Sequence, residues 1–444
     1  MAILVGFFSG LAVRLGMLAA SLGAAATLLA RILPSLSAGK GRLIAVLTTP
    51  ENQRRVFTIL RALSPNLVLS RRLVTAYENT GTALVTRFSD VVEVLDRDAD
   101  FAVVYEPKMR EITAGSNFFL GMQDSAEYTR DVSNMRLAVR RSDVDGIVIP
   151  LAAEAATALV SACSEQIDVP QQLTLRVPAA LLSGYFGTGG PSEAAMIAWT
   201  TVMFWYLFID LAGDAALRER ALSAAAACRD YLDTAISQRK ASPTEGDDVL
   251  NRCLRMQDAG LPGMDDLGIR NNLIGLLIGL VPTLSEACVQ ALDQLLDRPA
   301  ALAGAQAAAQ ANDDAMLAAY VFEALRFAPI NPIIYRRATR DTVIARNTLR
   351  QRRVPQGTMV LAANLSAMFD PLAIAAPQAF RTNRPWSAYM LWGYGMHGCF
   401  GAHINRAVIP QILKPLLKQP GLRRLGPIDR AGTPFPVHFT VSLG

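Results

Sequence analysis

The chain has 444 residues, 51% of them hydrophobic, with 43 Lys and Arg against 38 Asp and Glu for a net charge of +5. A chain of this length and apolarity buries a large core, and its mild, scattered charge lacks the dense basic stripe of a nucleic-acid binder. Five cysteines, at 163, 228, 253, 288 and 399, are odd in number and far apart, which argues against a disulfide scaffold and for a reducing compartment.

Residues 1–34 open the chain as an apolar helix interrupted by Arg14 and Arg31. A spanning helix needs roughly 20 apolar residues, and Arg14 divides the stretch. An interfacial or tilted helix lets Arg14 reach the headgroups. The expectation is a cytoplasmic protein attached to a membrane through this helix. The alternative is a leader, or a helix docked on the protein's own apolar surface. Residues 35–444 are expected to form one domain.

Residues 35–55 read as a linker and 56–80 as short helices. Thr82–Thr86 has strand character. Ser89 or Asp90 is the expected cap of a helix through Val91–Leu95. Phe101–Tyr105 reads as extended. Residues 110–124 form a Gly-, Ser- and Asn-rich loop carrying Phe118 and Phe119, and such loops often line binding sites. Residues 127–241 are mostly helical. A long apolar helix covers 271–297, and Pro282 inside it removes a hydrogen bond and kinks it. An Ala-rich helical stretch covers 300–328, and strands and loops follow over 333–391. A further helix runs from Cys399 to about Leu417, and the tail holds a strand at Val437–Val441. The fold class is mainly α with a minor β part.

The segment Trp392-Gly393-Tyr394-Gly395-Met396-His397-Gly398-Cys399-Phe400-Gly401 stands out. A cysteine in a glycine-rich loop ahead of a helix suits a thiolate ligand to haem iron. Glycines permit close backbone approach. Amide N–H groups and the helix N-terminus stabilise the thiolate. His397 is placed to donate to a haem carboxylate.

This segment resembles the haem-binding signature of the cytochrome P450 family, with Trp392 where phenylalanine is usual. Glu323-Ala324-Leu325-Arg326 resembles the family's Glu-x-x-Arg pair, and Arg384 of Asn383-Arg384-Pro385 resembles the arginine that joins it. Arg336 resembles the strand arginine that contacts a haem propionate. Phe88 to Val103 and Asp124 to Arg130 resemble further family segments. The resemblance covers roughly residues 45–444. It implies the cytochrome P450 fold, with haem b between the long central helix and the cysteine loop. Cys399 would be the iron ligand, with Gly393, Trp392 and Gly401 in the cofactor loop.

Two departures matter. Tyr128 stands where the family's propionate-binding histidine would be, and Val132 where an arginine would be; Arg130 or Arg136 is the expected substitute. In Gly279-Leu280-Val281-Pro282-Thr283, Val281 and Pro282 replace the acid and first alcohol of the oxygen-activating segment. Neither side chain relays protons, so Thr283 is the remaining candidate.

The resemblance implies a monooxygenase inserting one atom of O2 into a lipid, terpenoid, steroid or aromatic compound. It would be served by a ferredoxin- or flavodoxin-like electron donor. Arg406, Lys414, Lys418, Arg423 and Arg424 are the candidate docking face. The alternative is a peroxygenase or hydroperoxide-rearranging member, which needs no electron donor. A non-catalytic haem-dependent binding protein is the reading from another class. The expected substrate walls are Phe118, Phe119, Leu120, Met122, Leu280, Ile330 and Phe435, with Asn331 and Thr283 as polar anchors.

Overall fold

The computed structural model describes residues 2–36, 43, 46–47 and 49–444, and is mainly helical with a minor sheet component. Two units interleave along the chain. One gathers the described residues up to Val74 with Glu78–Ala102 and Glu323–Gly398; the other holds Thr75–Tyr77, Val103–Phe322 and Cys399–Gly444. Part of the expected linker over 35–55 lies outside the described residues, and its end is helical from Pro50.

The first unit is built on a five-stranded sheet in the order Asn66–Leu69, Thr82–Val85, Met359–Ala362, Ile334–Ala338, Phe101–Ala102. Thr82–Val85 and Met359–Ala362 run parallel, and the other pairs are antiparallel. Val85, Val360 and Ala362 from the sheet pack with Val91, Val94 and Leu95 of the helix Phe88–Asp96. Burial at i, i+3 and i+4 along that helix is what a helix seated on a sheet requires. Its cap differs from expectation. Ser89 and Asp90 lie inside the helix, and the Phe88 N–H donates to the Asp370 carboxylate at 3.1 Å. Asp90 instead accepts from Asn66 and Arg350 at 2.9 and 3.0 Å. The extended stretch is also shorter than expected: the strand is Phe101–Ala102, and Glu106–Thr113 is helix.

The N-terminal helix Ala2–Leu36 belongs to this unit. Met17, Ser21 and Leu28 are buried, and Arg31 lies 3.5 Å from Glu51 of the helix Pro50–Leu63. Leu15, Leu18, Leu22, Leu29 and Leu33 form an exposed stripe on another face. The stretch Ala12–Ser35 is long and apolar enough to cross a membrane.

The second unit centres on the helix Asp266–Leu296, which continues unbroken through Pro282 and is buried along most of its length. Asp265 caps it, accepting from the Gly268 N–H at 2.7 Å. The Ala-rich stretch forms two helices, Pro299–Gln310 and Asp314–Phe327, parted where Asn312 takes a φ of 55°. A three-stranded sheet joins Gln166–Asp168, Thr440–Ser442 and Arg423–Arg424. Phe118 and Phe119 are not exposed loop aromatics; they are 1% and 2% exposed.

Candidate active site

Helical spacing puts Glu323 and Arg326 on one face, and both are fully buried. Arg326 offers its fork to the carboxylate, Nε to Oε2 at 3.0 Å and Nη2 to Oε1 at 2.7 Å. Glu323 also accepts from Arg384 Nε at 3.1 Å, the Arg381 N–H at 3.0 Å and the Tyr389 hydroxyl at 3.1 Å. The guanidinium groups then hold backbone. Arg326 donates to the Met368 carbonyl, and Arg384 to those of Ala375, Ala376 and Ala379. Burial drives Arg326 below the usual arginine range and the Tyr389 phenol upward. From Tyr389 an aromatic chain leads toward the cysteine loop. Trp386 lies 5.2 Å from Tyr389 and 5.4 Å from Trp392, centroid to centroid. The indole at 392 thus rests on the same network that Glu323 anchors.

Two of the four loop glycines are required by conformation. Gly393 and Gly395 have φ of 78° and 68°, and a Cβ at Gly395 would lie 2.8 Å from the Leu95 carbonyl oxygen. Gly401 has a φ of −83°, and neither it nor Gly398 has a positive φ, so the left-handed conformation is confined to Gly393 and Gly395. Gly401 contributes its N–H, which is directed to the Cys399 sulfur.

Arg336, on the strand Ile334–Ala338, is 2% exposed. His397 is pushed down to about 4, by burial and then by the positive charge of Arg336. Its ring is therefore neutral at pH 7, and the 3.8 Å approach of Asp98 is no ion pair. A buried guanidinium beside a buried imidazole is a donor pair suited to a carboxylate.

In the second unit, Cys399 keeps open surface although protein surrounds its other sides. That burial pushes the thiol up to about 11, against the Gly401 amide. Cys228 and Cys253 are pushed up to about 12 by burial and are inert by comparison. The Phe119 ring lies 5.2 Å from that of Phe400, tilted by 46°, so it packs beside the residue that follows the cysteine. In the second unit, a sulfur with open surface and an amide donor suits the iron of haem b; in the first unit, the Arg–His pair by itself suits carboxylates. Cys399 would hold the iron, and Arg336 and His397 the propionates.

On the long helix, the positions between Asn271 and Leu292 that keep surface are Leu276, Gly279 and Thr283, one face at i, i+3 and i+7. A Cβ at Gly279 would meet nothing within 4 Å. Val281 and Pro282 are buried, so of the three expected relay positions only Thr283 lies on the open face. Its hydroxyl donates to the Gly279 carbonyl at 2.5 Å and lies 3.2 Å from that of Leu280. The proton is thereby committed to the helix, and the oxygen presents lone pairs.

Other expected site residues are distributed as follows. Phe118 packs against the long helix at Gly275, where a Cβ would lie 2.5 Å from its ring. Leu120 is half-buried, Leu280 is buried, and Phe435 packs 6.1 Å from Phe204. Ile330 and Asn331 belong to the first unit, where the Asn331 carbonyl accepts from Asn364 at 2.8 Å. Tyr128 is half-buried in the first turn of the helix Ala126–Ala138. Arg130 is corrected as a carboxylate donor: Asp131 at 2.7 Å and Glu127 at 3.6 Å already pair with it.

The expected basic face also changes. Lys414 is neutralised by Asp314 at 2.7 Å, and Arg424 by Asp293 and Asp297 at 2.6 and 2.8 Å. The positive charge gathers instead at Arg406, Arg141 and Arg136, beside His403. Burial and then Arg141 lower both His403 and Arg406. Sequence reading missed Arg141, Tyr389 and Asn405 and gave Arg136 a different role; the Arg136, Arg140, Arg141 cluster was a legible signal for the first, and the others are isolated residues.

A family model described as Cytochrome P450 matches residues 193–419. The solved structure of P450BioI in complex with hexadec-9Z-enoic acid ligated acyl carrier protein superposes with a TM-score of 0.75 at 18% identity, covering 89% of this chain and 99% of that one. Cyclomarin C epoxidase CymV of Salinispora arenicola is 25% identical over 297 residues, 66% of this chain and 70% of the relative. A bifunctional dioxygenase–epoxy alcohol synthase of Fusarium oxysporum is 28% identical over 137 residues, 30% of this chain and 11% of that much longer protein.

Proposed function

The chain belongs to the cytochrome P450 family of haem-thiolate oxidoreductases, and from that premise we propose that it is a monooxygenase inserting one oxygen atom of O2 into a hydrophobic small molecule. Haem b, when bound, supplies the iron on which oxygen is activated. The protein's part is to hold that group through Cys399, Arg336 and His397, and to offer a proton acceptor at Thr283. The observation that carries the reading is Thr283 on the open face of the long helix, its lone pairs outward. The apolar side chains of Leu276, Leu120 and Phe435 favour a lipid, terpenoid, steroid or aromatic substrate. The named activity of the Salinispora relative, an epoxidase, supports oxygen insertion.

The test compares the purified haem-loaded protein under two supplies, a reductase–ferredoxin pair with O2 and hydrogen peroxide alone. Turnover of a hydrophobic compound library is expected with the electron supply. Turnover with peroxide alone, and none with electrons, would overturn the monooxygenase. That outcome is the second reading, and Val281 and Pro282 favour it because neither supplies a proton donor. An epoxy alcohol, named for the Fusarium relative, is an isomer of an unsaturated hydroperoxide and needs no electrons to form.

An acidic ferredoxin- or flavodoxin-like donor suits the cluster of Arg141, Arg136 and Arg406. Arg141→Glu is expected to slow first-electron transfer roughly tenfold at low salt, with the difference fading as salt rises. Stopped-flow reduction of the ferric protein reads both.

The leucine stripe of the N-terminal helix supports attachment to a lipid surface. Burial of Met17 and Leu28 on the neighbouring face favours a helix lying in the interface over one spanning it. Each leucine taken out of water contributes roughly 1.5–3 kcal/mol. Leu18, Leu22 and Leu29 replaced together by serine are expected to cut vesicle co-flotation at least roughly tenfold. Unchanged flotation would remove the stripe from the account.

A further inference from the structure

We propose that the side-chain amide of Asn405 is a positioning residue for the iron ligand, donating a hydrogen bond to the Cys399 sulfur and weakening its electron donation. The inference rests on the haem-thiolate reading. Asn405 lies in the first turn of the helix Ala402–Leu417, four residues after Gly401, and is 7% exposed. Its Nδ2 lies 4.0 Å from Cys399 Sγ, and among the described residues no other acceptor is recorded for that nitrogen. A buried amide without an acceptor is costly. The Cys399 sulfur is the group within reach that can accept from it.

The partner's chemistry fixes the direction of the bond. A thiolate has no proton, so it can only accept, and the amide must turn its NH2 toward it. The 4.0 Å separation is long against a neutral thiol. Negative charge on the sulfur shortens and strengthens such a contact. The Gly401 N–H is directed to the same sulfur, so the ligand receives one backbone donor and one side-chain donor. Both withdraw electron density from sulfur. Hydrogen bonds to a ligating sulfur set the iron's potential and its electron-richness.

The test uses the full-length haem-loaded protein and reads the ferric–ferrous midpoint potential and the C–O stretch of the carbon monoxide complex. Asn405→Leu keeps the volume and removes the donor; Asn405→Ala removes both; Asn405→Gln retains an amide. Loss of the donor is expected to move the midpoint negative and the C–O stretch to lower frequency in the Leu and Ala variants, with Gln returning part of the way. Unchanged values in Leu and Ala, with the thiolate-type carbonyl spectrum intact, would overturn the role of Asn405 and leave the family reading standing. Equal shifts in Gln and Leu would also overturn it, since they would report packing alone. Absence of a thiolate-type spectrum in the wild-type protein would instead remove the premise. If the Leu variant fails to load haem, the Ala and Gln pair still decides.

Discussion

Glu323→Gln is expected to give a protein that retains little haem and unfolds at markedly lower denaturant. The carboxylate is fully buried and accepts from Arg326, Arg384, Tyr389 and the Arg381 N–H. Glutamine keeps the shape but replaces one acceptor oxygen with a donor. It also leaves the Arg326 and Arg384 guanidinium groups without a countercharge in the interior. Breaking a buried pair by removing one partner costs about 3–5 kcal/mol, a large part of the roughly 5–15 kcal/mol that holds a domain folded. The damage should reach the cofactor through Tyr389, Trp386 and Trp392. Haem content per polypeptide and the unfolding midpoint measure it. Wild-type values for both would show that the network is not what anchors the loop.

Thr283→Val is expected to reduce product formation driven by O2 and electrons by roughly 100-fold, the scale of a lost proton-transfer group, while peroxide-driven turnover persists. Valine keeps the branched shape and deletes the hydroxyl oxygen that Thr283 places on the open face of the long helix. Peroxide already contains the O–O bond and its protons, so the peroxide route does not need the same delivery. Product formed per electron consumed separates the cases. A parallel fall in both routes would point to distorted packing; no fall in either would take Thr283 out of the mechanism.

Much of the site was legible because its elements are local in the chain. The cysteine loop, the Glu323–Arg326 pair and the helix after Cys399 each sit within one short stretch, where backbone geometry alone brings the residues together. The long helix was equally legible from its apolar run. The assignments that changed depend on partners far along the chain. Phe88 is capped by Asp370, 282 residues away, and no local pattern distinguishes that from a cap at Ser89. Phe118 is buried because Gly275 leaves room for its ring. Lys414 and Arg424 looked like free cations until Asp314, Asp293 and Asp297 were found beside them. Arg130 is the instructive exception: its partner Asp131 is adjacent, but sequence proximity did not reveal which charge the guanidinium would choose.

The sequence by itself determined the family, the candidate ligand Cys399 and the anchoring pair, since these rest on spacing along one stretch of chain. Tertiary structure decided which donors and charges are available. It tied the Thr283 proton to Gly279, paired Lys414 and Arg424 with acids, and turned the Asn405 amide toward the sulfur. Availability is a matter of burial and partner distance, and those are set only when segments remote in sequence pack together.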